Sequence, residues 1–476
     1  MAALVSRNLS QLRERAESLG LTLLSSADEL EQRHRQDEAT LETLRAFDAH
    51  SMDAERPGGL PELSWAGRRP LPTPPALPVV AREAPTWITV LDAPRVHPGG
   101  RLTGFEVGIK DLLDVEGCTV TAGTRAHRAG PAVRDAPAVH ALRAAGATIR
   151  GTTNLHALAY GATGTSSDWG VPRNPASPGA IPGGSSSGSA VAVAERSAAL
   201  TLGTDTSGSI RIPAALCGVV GLKPTRGLVS LEGCHPLSPT LDHIGPLAGS
   251  VEVVAAAVGT LAGWHSWQLP QEPQGRIRVG LLGGYFDEGL SAPIRAALGE
   301  ALTVLDRAGV ELTPVELDLA RHIPGAQIAV LGAEALATNL PTLRAHGREL
   351  PADVRLRLEA GLARTDEQLT VARELTVRWR RQVDAALAHC HVLLCPTTAI
   401  PATAPEVSHV EVDGDLVTVQ LSLTRLTMPF NFSGHPAISL PWRDSGGTLL
   451  GVQLIGRTGG DQDLLAVASH VEQLLS

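Results

Sequence analysis

The chain has 476 residues, a formal net charge of −9 and a sequence pI near 6.0, with 43% hydrophobic and 19% charged residues. That balance belongs to a folded globular chain, and the acidic sign argues against a general nucleic-acid binder. No apolar run approaches the roughly 18 residues of a membrane helix, and Met1–Ser10 holds no long apolar stretch of a secretory signal.

Five scattered cysteines predict reduced thiols in a cytoplasmic protein. Of the 40 basic residues only Lys110 and Lys223 are lysine. Arginine replaces lysine freely on a surface. It cannot do so where the amine must lose its proton, because guanidinium stays charged. Base composition alone would explain the depletion, so the local sequence around each lysine has to decide.

In chain order, residues 1–56 read as a helical segment. Leu9, Leu12, Ala16 and Leu19 recur at helical spacing before Gly20, and Ser26-x-x-Glu29 is a capping box for a second helix carrying Leu30, Leu41, Leu44 and Phe47. These helices offer a surface for a homodimer. Residues 57–85, with Pro70, Pro72, Pro74, Pro75 and Pro78, read as a linker or surface crossing. From residue 86 to 476 the texture is α/β. Strand candidates are Phe105–Lys110, Ala147–Arg150, Arg276–Leu282, Val310–Leu317, His391–Leu394, Ala437–Leu440 and Gly451–Ile455. Helix candidates are Asp135–Ala145, Pro293–Ala308 and Asp461–Leu475. Residues 159–189 are dense in Gly, Ser and Pro yet flanked by tightly apolar runs, which marks a functional loop.

The densest signal is Gly183-Gly184-Ser185-Ser186-Ser187-Gly188-Ser189, followed by Gly203-Thr204-Asp205-Thr206-Ser207-Gly208-Ser209-Ile210-Arg211. Small residues let backbone N–H groups approach a ligand, and each run leads into a helix whose free N–H groups favour negative charge. That suits a phosphate cradle or an oxyanion hole. The phosphate motifs are absent. Gly184-Ser185-Ser186-Ser187-Gly188 fits G-x-S-x-G, with Ser186 as nucleophile, but Pro178–Pro182 is a poor strand to precede an elbow. No Ser-x-x-Lys occurs. A flexible linker would explain the serines but not the apolar flanks.

Lys110 together with the runs around Ser185 and Ser209 resembles the amidase signature family. The resemblance is strong over residues 100–250. It continues through Cys395-Pro396-Thr397-Thr398, Pro429–Pro441 and Gly451–Gly456. It implies an α/β amidase-signature fold: a central twisted mixed β-sheet covered by helices on both faces, with an N-terminal helical segment. It also implies amide hydrolysis by a Ser–cis-Ser–Lys triad of Ser209, Ser185 and Lys110, with a cis Gly184–Ser185 peptide. Backbone N–H groups of Thr206, Ser207, Gly208 and Ser209 would hold the oxyanion. The chemistry is coherent, because a serine attacks only when a base takes its proton, and burial can make a lysine that base. Asp205 and Arg211 could orient the loop as an ion pair, or form a solvated pair. Lys223, in Gly221–Thr225, reads as structural, and Asp242 as a turn or cap residue. The partners implied are a small-molecule amide and water, without cofactor or metal. His389-Cys390-His391 with Cys395 lacks paired ligand spacing. Tyr160, Trp169 and Phe430 could line a pocket, with core packing as the alternative.

Within the family, Arg357 and Gly361 match a segment of the glutamine-hydrolysing A subunits of glutamyl-tRNA amidotransferases. The tyrosines that should follow are missing at Gln368, Leu369 and Thr370, and Thr424 stands where those subunits carry the aspartate that binds the glutamine ammonium. A stand-alone amidase is therefore expected. Carbamates, urea-type compounds and esters remain alternative substrates, and a binding protein without activity is disfavoured by the intact triad.

Overall fold

The computed structural model describes residues 2–47, 63–75, 77, 85–92 and 99–476. Pro78, about half of the 57–85 crossing and the side chain of Leu9 lie outside the described residues.

The chain opens with α1 (Ala2–Ser18) and α2 (Ala27–Arg45), then β1 (Ser64–Arg68), β2 (Trp87–Val90), β3 (Glu106–Lys110), α3 (Pro137–Ala144) and β4 (Thr148–Thr153). Next come α4 (Ser187–Ala194), β5 (Leu200–Thr204), α5 (Arg211–Cys217), β6 (Val220–Lys223), β7 (Ile244–Ala248), α6 (Val251–Leu261) and β8 (Pro270–Gln274). The central part holds β9 (Arg278–Leu282), α7 (Ala292–Arg307), β10 (Glu311–Val315), α8 (Ile323–His346), α9 (Ala352–Ala360) and α10 (Asp366–Leu387). The chain closes with β11 (Val392–Pro396), β12 (His409–Val412), β13 (Asp415–Thr418), α11 (Val419–Thr424), α12 (Met428–Ser433), β14 (Ala437–Arg443), β15 (Leu449–Ile455) and α13 (Asp461–Leu474).

Among the described residues, eleven strands form one mixed sheet in the order β10-β9-β11-β15-β14-β6-β7-β5-β3-β4-β2. Its inner strands are apolar on both faces, as a sheet flanked by helices requires. Val107 and Ile109 of β3, Leu200 and Leu202 of β5, and Leu393 and Leu394 of β11 are fully buried. β3 runs parallel to β5, with Ile109 opposite Leu202. Parallel neighbours end at the same edge of the sheet, so Lys110 and Thr204, the last residues of β3 and β5, come out side by side.

The expected strand–helix–strand unit is present as β9, α7 and β10, with the strands parallel. The helix expected from Asp135 starts instead at Pro137, because the Asp135 carboxylate accepts from the Glu116 N–H and from Arg143 Nε. His389 and His391 lie in the turn between α10 and β11, so the strand expected from His391 starts at Val392. His391 Nδ1 accepts from the Arg278 N–H at 2.9 Å.

Ser26 and Glu29 form the expected capping box of α2. The buried face of α2 (Leu30, Asp37, Leu41 and Leu44) packs on α8 and α9 of the same chain. That face of α2 is thus used within the chain.

Candidate active site

Lys110 is fully buried, and its neighbours are hydroxyls. Nζ lies 2.7 Å from Ser185 Oγ, 2.9 Å from Ser186 Oγ and 2.7 Å from Thr204 Oγ1. Burial pulls the amine down from the usual lysine range to about 7, although Cys234, Asp205 and Asp242 favour the charged form. Ser186 Oγ also donates to Thr204 O at 3.1 Å. Ser186 therefore positions the lysine and is buried against it, with no histidine among its hydrogen-bond partners. It does not form the nucleophile elbow that G-x-S-x-G suggested. That Ser186 and Thr204 hold the lysine is a role the motifs do not announce.

The Gly184–Ser185 peptide is cis. The groups on either side of it are tied down locally: Gly184 N–H donates to Ala162 O at 2.6 Å, and His156 N–H donates to Ser185 O at 3.0 Å. Glycine is needed at 184, because a Cβ there would sit 2.7 Å from Gly164 N and 2.9 Å from Gly161 O.

The second loop leaves β5 at Thr204 and reaches α5 at Arg211. Asp205 organises it from a fully buried position. Its carboxylate accepts from the N–H groups of Gly208 (2.7 Å) and Ile210 (3.1 Å), from Arg211 Nη2 (2.9 Å) and Nε (3.0 Å), and from Asn431 Nδ2 (2.8 Å). Arg211 also donates to Thr427 O, Gln453 Oε1 and Asn431 Oδ1, so every face of the guanidinium is held. Burial alone would raise the Asp205 carboxyl. The Arg211 charge and its hydrogen bonds, with Asn431, outweigh this and hold it well below the usual carboxylate range. The pair is not solvated.

Ser209 is 7% exposed, and its carbonyl accepts from the Ser186 N–H at 3.2 Å, which joins the two loops. One expected oxyanion donor is corrected: the Gly208 N–H is committed to Asp205. Among the described residues, the N–H groups of Thr206, Ser207 and Ser209 donate to no protein acceptor. Gly208 sits at φ +127, where a Cβ would also collide with Thr427 Oγ1. Asp242 does more than cap a turn. It accepts from the Leu237 and Ser238 N–H groups and from Thr206 Oγ1 at 2.6 Å. Gln327 of α8 donates to Ser207 Oγ at 2.7 Å and to Thr206 O at 3.2 Å. Lys223 lies apart from this network, donating to His435 O (2.6 Å) and Pro224 O (3.1 Å), and burial keeps it well below the ordinary lysine range.

A cavity of about 910 Å³ opens beside the Asp205–Ser209 loop, where Ser207 forms part of its wall. Its floor is polar but uncharged, with Gln327, Gln420 and Thr424. Charged residues line it as well: Arg33 and Asp37 of α2, Asp353 and Arg357 of α9, and Arg364. Tyr160 lines the cavity. Phe430 is core, stacked on Phe286 with centroids 5.7 Å apart, and Trp169 lies under Arg125. Among the described residues, no group of three or more His, Cys, Asp or Glu is placed to hold a metal.

Comparison with known proteins agrees with this geometry. The profile of the Amidase family matches residues 76–465. The chain is 35% identical to AtzE, a 1-carboxybiuret hydrolase component of Pseudomonas sp. (strain ADP), over 74% of this chain and 80% of that protein. It is 32% identical to the A component of the glutamyl-tRNA(Gln) amidotransferase of Synechococcus sp. (strain RCC307), over 79% and 84% of the two chains. A crystal structure of an amidase superposes with a TM-score of 0.74 at 36% identity, covering 79% of this chain and 86% of that one. The chain therefore belongs to the amidase family, the amidase signature enzymes, and is a hydrolase of carbon–nitrogen bonds other than peptide bonds.

Proposed function

We propose that the enzyme hydrolyses an amide of a small molecule through an acyl-enzyme on Ser209. The observation that carries this reading is the all-hydroxyl environment of Lys110 Nζ. A neutral amine has two hydrogens to donate and one lone pair. Ser186 Oγ donates elsewhere, to Thr204 O, so it accepts from the lysine. With Thr204 Oγ1 as the second acceptor, the lone pair faces Ser185.

Neutral Lys110 draws the Ser185 proton as Ser185 takes the proton of Ser209. Ser209 Oγ then bonds to the amide carbonyl carbon. The N–H groups of Thr206, Ser207 and Ser209 hold the oxyanion. The proton returns through Ser185 to the leaving nitrogen, and the C–N bond breaks. Water repeats the path and releases the acid. The chain's own side chains suffice, and the mechanism uses no metal or cofactor.

A glutamine-hydrolysing amidotransferase component is the second reading, supported by the similarity noted above. The cavity weakens it. Thr424 Oγ1 donates to Gln420 O at 3.0 Å, so this position offers a neutral hydroxyl already in use where an ammonium would need a carboxylate. A stand-alone enzyme in a reducing compartment such as the cytoplasm fits the five free thiols.

The test is a panel of primary amides, carbamates and matched esters assayed with the wild type and Ser209→Ala. Ammonia release by the wild type alone, with a mass adduct on Ser209 after quenching, is the expected result. Undiminished turnover by Ser209→Ala would exclude Ser209 as nucleophile. Activity only after addition of a partner protein would favour the second reading.

A further inference from the structure

Gln420 lies in the first turn of α11 and lines the cavity beside the serine loops. Chemistry fixes which way its carboxamide faces. The Ala162 N–H can only donate, and it donates to Gln420 Oε1 at 2.8 Å. The amide nitrogen therefore points the other way. Among the described residues nothing accepts from that Nε2, and the side chain is only partly buried, so its two N–H groups remain reachable. The same residue links Gln420 to the reacting centre, because Ala162 O accepts from the N–H of Gly184, next to Ser185. The helix holds the residue from behind through Thr424 Oγ1, which donates to the Gln420 carbonyl. Ser207, Gln327, Thr424 and Met428, which line the same cavity, carry no charge, while Asp353, Arg357 and Arg364 line it too.

We propose that Gln420 is a specificity-determining residue whose Nε2 donates to a second oxygen on the acyl half of the substrate. The preferred substrates are then amides that carry a further carbonyl or carboxylate close to the scissile one. This rests on the amide-hydrolase reading and names its substrate class. A site that hydrogen-bonds a substrate group disfavours the isostere that lacks it, because the bound isostere covers the Gln420 donor, shuts out water and leaves it without a partner.

Malonamide and isovaleramide provide the test, since the second replaces one carboxamide of the first by an isopropyl group. The wild type is expected to favour malonamide at least tenfold in kcat/KM. Gln420→Glu keeps an oxygen for the Ala162 N–H and replaces the donor by an acceptor. It is expected to lose at least tenfold on malonamide and less than threefold on isovaleramide. Gln420→Met, which adds no charge, should collapse the same ratio. Equal losses on both substrates would mean that Gln420 only supports the Gly184 loop, and this would overturn the proposal, as would a wild type without preference. Saturation-transfer NMR on Ser209→Ala reads the preference without turnover. There, Gln420→Glu should abolish the malonamide signal and spare isovaleramide. Persistent turnover in Ser209→Ala would sink the nucleophile assignment and leave the binding comparison to decide Gln420. Unchanged malonamide binding in the double variant would sink the Gln420 assignment.

Discussion

Lys110 shows how little separates a structural lysine from a base. It ends an apolar strand, and its amine meets three hydroxyl oxygens and no carboxylate. With its pKa drawn down to about 7, kcat/KM should fall about tenfold per pH unit below that value and level off above it. Lys110→Arg should be inactive at every pH, because guanidinium does not give up its proton. A profile flat from pH 5 to 9 in a Ser209-dependent assay would contradict the lysine's role. Asp205 supplies the second residue-scale test. Asp205→Asn keeps an oxygen near the Gly208 N–H but leaves Arg211 charged and fully buried without its counter-ion. It should cost about 3–5 kcal/mol in urea unfolding and lower kcat at least a hundredfold through the misplaced loop. The sequence marks Lys110 as one of only two lysines and Ser185 and Ser209 by their runs of small residues, and the fold brings Lys110 and Ser185 together. The roles of Ser186 and Thr204 were not legible in the sequence, since they appear only when β3 and β5 pair. The loss of Gly208 from the oxyanion donors depends on where one carboxylate turns.

Among the elements, α2 has a function that its sequence hides. Its apolar spacing announces a helix, and the capping box marks its start. That it walls the cavity depends on contacts hundreds of residues away. Asp37, 3% exposed, lies between Arg33 of its own helix and Arg364 beyond α9. Arg364 is 2% exposed and lines the cavity with Asp37. Asp37→Ala would leave that guanidinium buried without its counter-ion. The expected loss is about 3–5 kcal/mol of stability, with a raised KM and a kcat changed much less, since Asp37 lines the cavity but touches none of the groups around Lys110. Adding Arg364→Met should recover most of the stability. Loss of equal size in the double variant would show that the pair matters only as packing. The hairpin of β12 and β13 is the opposite case. Its turn is Asp413-Gly414, both in the left-handed region at φ +51 and +88, a local signal that Asp-Gly already carries in the sequence. The pairing of β1 with β8 was beyond reach, since neither Ser64–Arg68 nor Pro270–Gln274 has an alternating apolar pattern.

For the whole molecule, the sheet determines how stability follows pH. Both lysines end strands and are buried there, and burial holds each below its ordinary range. The unfolded chain keeps their protons to about pH 10, so above pH 7 it binds more protons than the native state does. Stability then rises with pH, by up to about 1.4 kcal/mol per unit for each lysine. All five thiols act in the other direction. Burial raises every one, so the unfolded chain loses thiol protons near pH 8.5 while the native state keeps them. Burial draws Arg226 down to about 10, so it adds to the rise only near the top of this range. Two lysines rising against five thiols falling place the stability maximum at about pH 8. Urea midpoints from pH 6.5 to 9.5 should trace that maximum. Lys110→Met should flatten the rise between pH 7 and 8 by up to one proton, and replacing Cys390 by Ala should move the maximum upward. A midpoint that falls steadily from pH 7 in the wild type would mean that at least one of the two lysines keeps its proton in the folded protein.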